Sequence, residues 1–429
     1  MSLLVCAYRS RYQHDMFNLL EVSALLLALS ALFGWLNARF VRLPPTIAML
    51  LMALLTSLVL ITIDGLTPGS HLRERFTHAI VEVDFFDTLM HGMLAFLLFA
   101  GALQVDLSGL RDVRWPVGIL ATVGVLISTA VAGTGFWLLT QAAGVELPFY
   151  WALVFGALIS PTDPVAVLSI LKSVRIPAQL EMKIAGESLL NDGVTIVVFT
   201  VLLSHAMHGG VLDAWGIGEL FLREAVGGVV LGLLAGAVAV YLMHRIDDYP
   251  IEILLSLALA TCTYAAAIRL GASGPLAVVV AGLLVGNRGV TTAMSESTRR
   301  HLFDFWEVFD ELLNSVLFLL IGFEMLVIGF DAAAAVPAAA AIPLVLVARF
   351  VSVYLPLSVG PLRETFTPGS VPMLTWGGLR GGISVALALS LPHNSYREEI
   401  LFATYCVVVF SVVVQGLTIP ALIHRLRFE

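Results

Sequence analysis

Apolar residues run through this chain in long stretches, cut by short polar segments. A transmembrane helix needs ~20 mostly apolar residues to cross the hydrocarbon layer. Thirteen stretches meet or approach that length, at about 19–36, 45–63, 88–105, 115–143, 147–171, 184–203, 225–243, 253–268, 270–286, 312–330, 332–358, 371–393 and 400–423. The pattern predicts an all-α polytopic membrane protein with about thirteen transmembrane helices. The stretch 289–311, with Arg299, Arg300 and Glu307, predicts an interfacial helix or linker. An odd number of spans puts the termini on opposite faces. With the C-terminus cytoplasmic, the inside segments hold fourteen Lys and Arg residues, Lys183 among them, against seven outside. That excess favours an N-terminus outside and a C-terminus inside. The first 17 residues are too polar for a signal peptide, so the first run is expected to be a true span.

Two spans carry defects. Span 5 contains "LISPTDPVAVL", which places Asp163 between Pro161 and Pro164. Span 12 contains "LTWGGLRGGISVAL", where four glycines flank Arg380. Proline and clustered glycine interrupt helices, and an intramembrane charge is costly unless it faces a cavity or a partner. The two spans lie seven apart and therefore cross in opposite directions. Paired interruptions of this kind mark an inverted repeat with a binding site at the breaks. The expected organisation is a single transporter domain with an N-terminal repeat at about 18–204 (spans 1–6), a linker helix at about 219–243 and a C-terminal repeat at about 250–424 (spans 8–13).

Six charged residues fall inside apolar runs: Asp163, Glu187, Asp192, Glu324, Arg349 and Arg380. Four acids and two bases leave two acids without a basic partner, and an unpaired buried aspartate needs a proton or a mobile cation. In span 6, "AGESLLNDGVTIVVF" sets Ser188 and Asp192 on one helical strip and Glu187 and Asn191 on another. These are oxygen ligands of the kind a hard alkali cation prefers, and no His or Cys cluster points to a transition metal. Arg349 and Glu324 are read as a packing pair.

Composition agrees with a membrane setting: 59% of the 429 residues are hydrophobic and 13% charged, against ~25% charged in a soluble domain. The net charge of −8 comes with no basic run that would suggest nucleic acid. Cys6, Cys262 and Cys406 are far apart and read as packing residues. Two other classes fit the sequence less well. "GASG" at 271–274 matches an intramembrane serine-protease pattern, with Ser273 as nucleophile and His91 as partner, but it leaves Asp192 and Arg380 unexplained. A cation channel would need a filter-like carbonyl loop, and none is visible.

"SPTDPVAV", "GESLLNDG", "GPLAVVVAGLLVGN", "LNSVLFLLIGFEM" and "GGLRGGISVALALSLP" occur in this order across residues 160–392. Together they closely resemble the cation:proton antiporter-1 family, the prokaryotic sodium/proton antiporters related to animal sodium/proton exchangers. The resemblance implies a homodimer in the cell inner (plasma) membrane, with crossed, unwound helices in a six-helix core and no cofactor. The transported ions would be Na+ or Li+ and H+. It also implies roles for particular residues. Asp192 would be the principal carboxylate for cation and proton. Ser188, Glu187, Thr162 and Asp163 would contribute to or adjoin the cation site, with Na+ held at Asp192, Ser188 and Thr162. Asn191 would support Asp192, and Glu187 would pair with Arg380. Electrogenic relatives carry a second aspartate where Asn191 stands, so one cation is expected to exchange for one proton.

Overall fold

Most long apolar runs become single helices, even where they carry a proline or paired glycines, as Ala332–Ser358 and Ala214–Met243 do; the spans around Asp163 and Arg380 are interrupted. The computed structural model describes residues 21, 23–67, 92–163, 167, 177–209, 214–324, 326, 332–358 and 369–426. Pro164, His91, Cys6 and the cations Arg9, Arg11, Arg73, Arg75, Lys172, Arg175, Arg363 and Arg427 lie outside the described residues. The helices are α1 (Ser23–Val41), α2 (Pro45–Leu66), α3 (Leu94–Gln104), α4 (Leu107–Ala142), α5 (Phe149–Leu158), α6 (Ala178–His208) and α7 (Ala214–Met243). They continue as α8 (Tyr249–Arg269), α9 (Gly274–Thr292), α10 (Glu296–Glu324), α11 (Ala332–Ser358), α12 (Ser370–Trp376), α13 (Gly382–Leu389) and α14 (Arg397–Leu426). The described residues contain no strand. Nine of these helices are long and apolar enough to cross a membrane, and α3 and α5 are shorter apolar helices.

Two boundaries differ from the hydrophobic pattern. The segment 289–311 is not a separate interfacial helix: its later part and the tenth apolar run form one helix, α10. Its apolar stripe explains why. Leu302, Trp306, Leu317, Leu320 and Phe323 are buried along α10 at multiples of roughly one turn, so one face stays in the core while Glu296, Arg299, Arg300, Asp304, Glu307 and Glu311 are exposed. Trp306 is fully buried against Phe96, Phe99, Phe305 and Phe309, and its Nε1–H donates to Ser256 Oγ at 2.9 Å. That cluster ties α10 to α3 and α8. Lys183 is also not a loop residue: α6 begins at Ala178 and buries Lys183 one turn before Glu187.

Helices in lipid associate through close backbone approach at small residues rather than through the hydrophobic effect. Gly228, Gly232 and Gly236, four apart on α7, form such a seam with α9. A Cβ at Gly228 would lie 2.8 Å from the Ser273 carbonyl, and one at Gly236 would lie 3.2 Å from Ala281 Cα. The outer face of α7 carries exposed Leu222, Val230, Leu234 and Val238, as a lipid-facing surface requires. Cys262 and Cys406 are free thiols, and Cys262 is exposed rather than packed in the core.

Candidate functional site

The site lies where the two interruptions meet. Helix α5 ends at Leu158, just before Pro161, which has no N–H to extend the ladder. Between α12 and α13, residues 377–381 leave the helix at the paired glycines. Backbone groups freed in a membrane must find partners inside the protein, and here each break serves the other. The Asp163 N–H donates to the Leu379 carbonyl at 2.7 Å. Arg380 Nη1 donates to the carbonyls of Ser160 and Pro161, the latter at 2.9 Å.

Helix α14 supports the second break from behind. Its π-helical turn, Ser411–Gln415, turns two polar side chains toward the gap. Ser411 Oγ accepts from the Arg380 N–H at 2.9 Å and donates to Gln415 Oε1 at 2.7 Å; Gln415 Nε2 donates to the Trp376 carbonyl at 3.0 Å. Sequence reasoning missed both residues. A lone glutamine within "SVVVQGLTIP" was the available signal, because an amide in an apolar run needs partners of its own.

Helix α6 runs past this crossing and buries Glu187, Ser188, Asn191 and Asp192 within about one turn. Thr162 bridges the two strips: Asn191 Nδ2 donates to Thr162 Oγ1 at 2.8 Å, and Thr162 Oγ1 lies 2.9 Å from Ser188 Oγ. This network joins α6 to the first break. Asn191 Oδ1 is buried without a hydrogen-bond partner among the described residues.

Glu187 does not pair with Arg380. Its partner is Arg349, which grips it with both terminal nitrogens, Nη2 to Oε2 at 3.0 Å and Nη1 to Oε1, while Nε donates to the Leu374 carbonyl at 3.1 Å. The reason is local. Arg380 stands in the unwound stretch beside free carbonyls and satisfies those, whereas the planar fork of Arg349 on continuous α11 fits a carboxylate bidentately. Gly378 makes room for it, since a Cβ there would lie 3.1 Å from the Arg349 Cζ. Arg349 is correspondingly not the partner of Glu324. Arg349 stands 17 residues into α11, ~26 Å along its axis from the end nearest Glu324 in sequence. The basic charge that acts on buried Glu324 is Arg397.

Asp163 and Asp192 line one cavity of about 420 Å³, together with Thr162. Asp106, Glu181, Glu307, Asp310 and Glu311 line it too, and all but half-buried Asp310 are exposed, so it leads from the surface to buried Asp192. Among the described residues, no Lys or Arg lines it. A passage walled by one sign of charge concentrates the opposite ion. At its inner end Asp163 packs on Gly381, the residue that precedes α13: a Cβ there would lie 2.7 Å from the Asp163 Cγ. The unpaired N–H groups of a helix start favour a carboxylate. At the outer end, the hydroxyl and N–H of Ser108 hold Asp106 below the usual carboxylate range as it caps α4.

Ser273 has a structural occupation. Its Oγ accepts from the Leu276 N–H at 3.4 Å as the N-cap of α9. The GASG match is thus a helix start, and His91 lies outside the described residues.

Similarity to known proteins points the same way as the crossing. The chain matches the family described as sodium/hydrogen exchanger, transmembrane, over residues 27–425. It is 45% identical to the Na(+)/H(+) antiporter NhaP of Pseudomonas aeruginosa over 95% of this chain and 97% of that protein. It is 34% identical to the antiporter NhaH of Halobacillus dabanensis over 96% and 98% of the two chains. Its fold superposes on the sodium proton antiporter MjNhaP1 of Methanocaldococcus jannaschii with a TM-score of 0.73 at 20% identity, over 96% of this chain and 99% of that one. With crossed breaks, a carboxylate-bearing helix between them and a match that spans nearly its whole length, the chain belongs to the sodium/hydrogen exchanger family of transmembrane proteins.

Proposed function

We propose that this protein is a secondary active Na+/H+ antiporter, not an enzyme, in which Asp192 binds a cation and a proton in turn. One observation carries the assignment. The crossing holds three carboxylates, Asp163, Glu187 and Asp192, against two guanidinium groups, Arg349 and Arg380. Lys183, buried on α6 one turn before Glu187, does not line the cavity. Counted over these five groups alone, the crossing carries one net negative charge, which one proton or one monovalent cation neutralises.

The division of labour follows from surroundings. Glu187 is committed to Arg349, and Asp163 to the start of α13. Asp192 faces the cavity, where a cation arriving through the acidic passage meets its oxygens beside those of Thr162 and Ser188. Sodium and the proton compete for the same oxygens, and either leaves the crossing neutral. Exchange is then electroneutral, one cation for one proton, with no cofactor. The two interrupted helices rock as a unit between access to the two faces. Asp106, Glu181 and Glu307 fall in segments on the positive, cytoplasmic side, so the described cavity opens inward. Thirteen spans in two inverted repeats, an N-terminus outside and a homodimer in the inner membrane complete the proposal, in line with the family resemblance.

The test is dye-monitored proton flux in proteoliposomes challenged in turn with sodium, lithium and potassium. Sodium or lithium should collapse a preset pH gradient. A response to none of the three would overturn the assignment, and a response to potassium alone would replace sodium as the cargo.

A further inference from the structure

The hydroxyl of Ser384 has no part in the site as described so far. Ser384 is the third residue of α13, 1% exposed, and it lines the cavity that holds Thr162, Asp163 and Asp192. Its Oγ is buried without a hydrogen-bond partner among the described residues. A helical serine or threonine ordinarily donates to a carbonyl one turn back. Ser390 does so to Leu387 at 2.7 Å, Ser352 to Arg349 at 2.9 Å and Thr404 to Ile400 at 2.6 Å. For Ser384, one turn back means Arg380 and Gly381, which lie in the unwound stretch. The other buried hydroxyls without partners among the described residues, on Ser30, Thr46, Thr195, Thr263, Ser370, Thr375 and Tyr405, do not line this cavity. An orphaned hydroxyl is costly to bury, and alanine would fill a purely structural position at less cost.

Its place is also specific. Gly381 is the N-cap of α13, and Asp163 occupies the space where a side chain at that cap would stand. Cap side chains reach the third residue of their helix, which here is Ser384. The Asp163 carboxylate and the Ser384 residue therefore sit at the same helix start, both on the cavity.

We infer that Ser384 supplies a hydroxyl ligand to the transported cation on its way to and from Asp192. The inference rests on the antiport assignment and adds a contact from α13 to those from α5 and α6. A neutral oxygen on the helix that moves with the crossing replaces part of the hydration shell without altering the charge balance.

The test uses full-length protein in proteoliposomes, with proton flux driven by Na+ or by Tl+ at one pH. Ser384→Ala should raise the KM for Na+ about tenfold with little change in maximal rate, the mark of a lost ground-state ligand. Ser384→Cys should raise the KM for Na+ but lower that for Tl+, because sulfur prefers the softer ion. Should the alanine variant fail to assemble, the nearly isosteric cysteine variant decides through its ratio of Tl+ to Na+ KM values. Unchanged KM values, or Na+ and Tl+ values that rise in parallel in the cysteine variant, would overturn the role of Ser384 while wild-type exchange leaves the antiport assignment standing. Absence of exchange in the wild type would overturn both.

Discussion

Glu187 and Asp192 lie five residues apart on one helix, both buried, yet their surroundings could hardly differ more. Glu187 is sealed behind α11, gripped at both oxygens by Arg349, and does not line the cavity. Asp192 faces a passage walled by acids and, among the described residues, by no base. Two carboxylates of similar chemistry are thereby given separate tasks. On the function proposed above, one fixes the framework that holds two broken helices together, and the other receives the positive charge that arrives. The difference lies in access and partners, not in residue type.

The comparison can be broken first at the open acid. Asp192→Asn removes the exchangeable charge and leaves the crossing neutral, so sodium-driven proton flux should vanish while the protein remains folded by size-exclusion chromatography and thermal melting. Flux near the wild-type rate would move the exchanging role elsewhere.

The sealed acid gives the next largest effect, and in stability rather than chemistry. Arg349→Ala strands Glu187, at a cost of ~3–5 kcal/mol. A double-mutant cycle on thermal stability should couple Glu187 strongly to Arg349 and clearly less to Arg380, whose Nη1 serves the carbonyls of Ser160 and Pro161. Equal couplings would contradict the pairing.

A milder change sharpens the contact between the two breaks. A Cβ at Gly381 would crowd Asp163, whereas one at Gly118 meets nothing within 4 Å. Gly381→Ala should lose ~1–3 kcal/mol of stability through overpacking and slow exchange, and Gly118→Ala should do neither. The smallest effect belongs to the mouth of the cavity. Asp106 caps α4 as a carboxylate, and Ser108 lowers its pKa. Its contribution is present above the ordinary carboxylate range and lost as the pH falls through the lowered value. Asp106→Ala should therefore reduce Tm slightly at neutral pH, and the two melting curves should converge in strongly acidic solution.

Much of this arrangement is legible in the residues themselves. Prolines beside Asp163, glycines around Arg380 and four oxygen-bearing side chains on α6 mark the crossing before any coordinates are seen, because each is an expense that an apolar span does not otherwise bear. The ion pairs were not legible. Charge counting says how many partners are needed but not at which depth each side chain sits: Arg349, on a continuous helix, takes Glu187, and Arg380 serves the free carbonyls beside it. Ser411 and Gln415 escaped notice because their purpose exists only once α12 and α13 have separated. The fusion of 296–324 into α10 was hidden by its charged outer face, which looks like an end of the membrane although the buried stripe continues.

The central claim is that one carboxylate alternates between a proton and a cation. Protons released per sodium bound test it most directly. Titration calorimetry of the purified protein in buffers of different ionisation enthalpy, at a pH where Asp192 is protonated, gives that number. One proton per sodium is predicted for the wild type, and neither sodium binding nor proton release for Asp192→Asn. Sodium binding without proton release would contradict competition at Asp192, and two protons per sodium would show that Asp163 also titrates in the cycle.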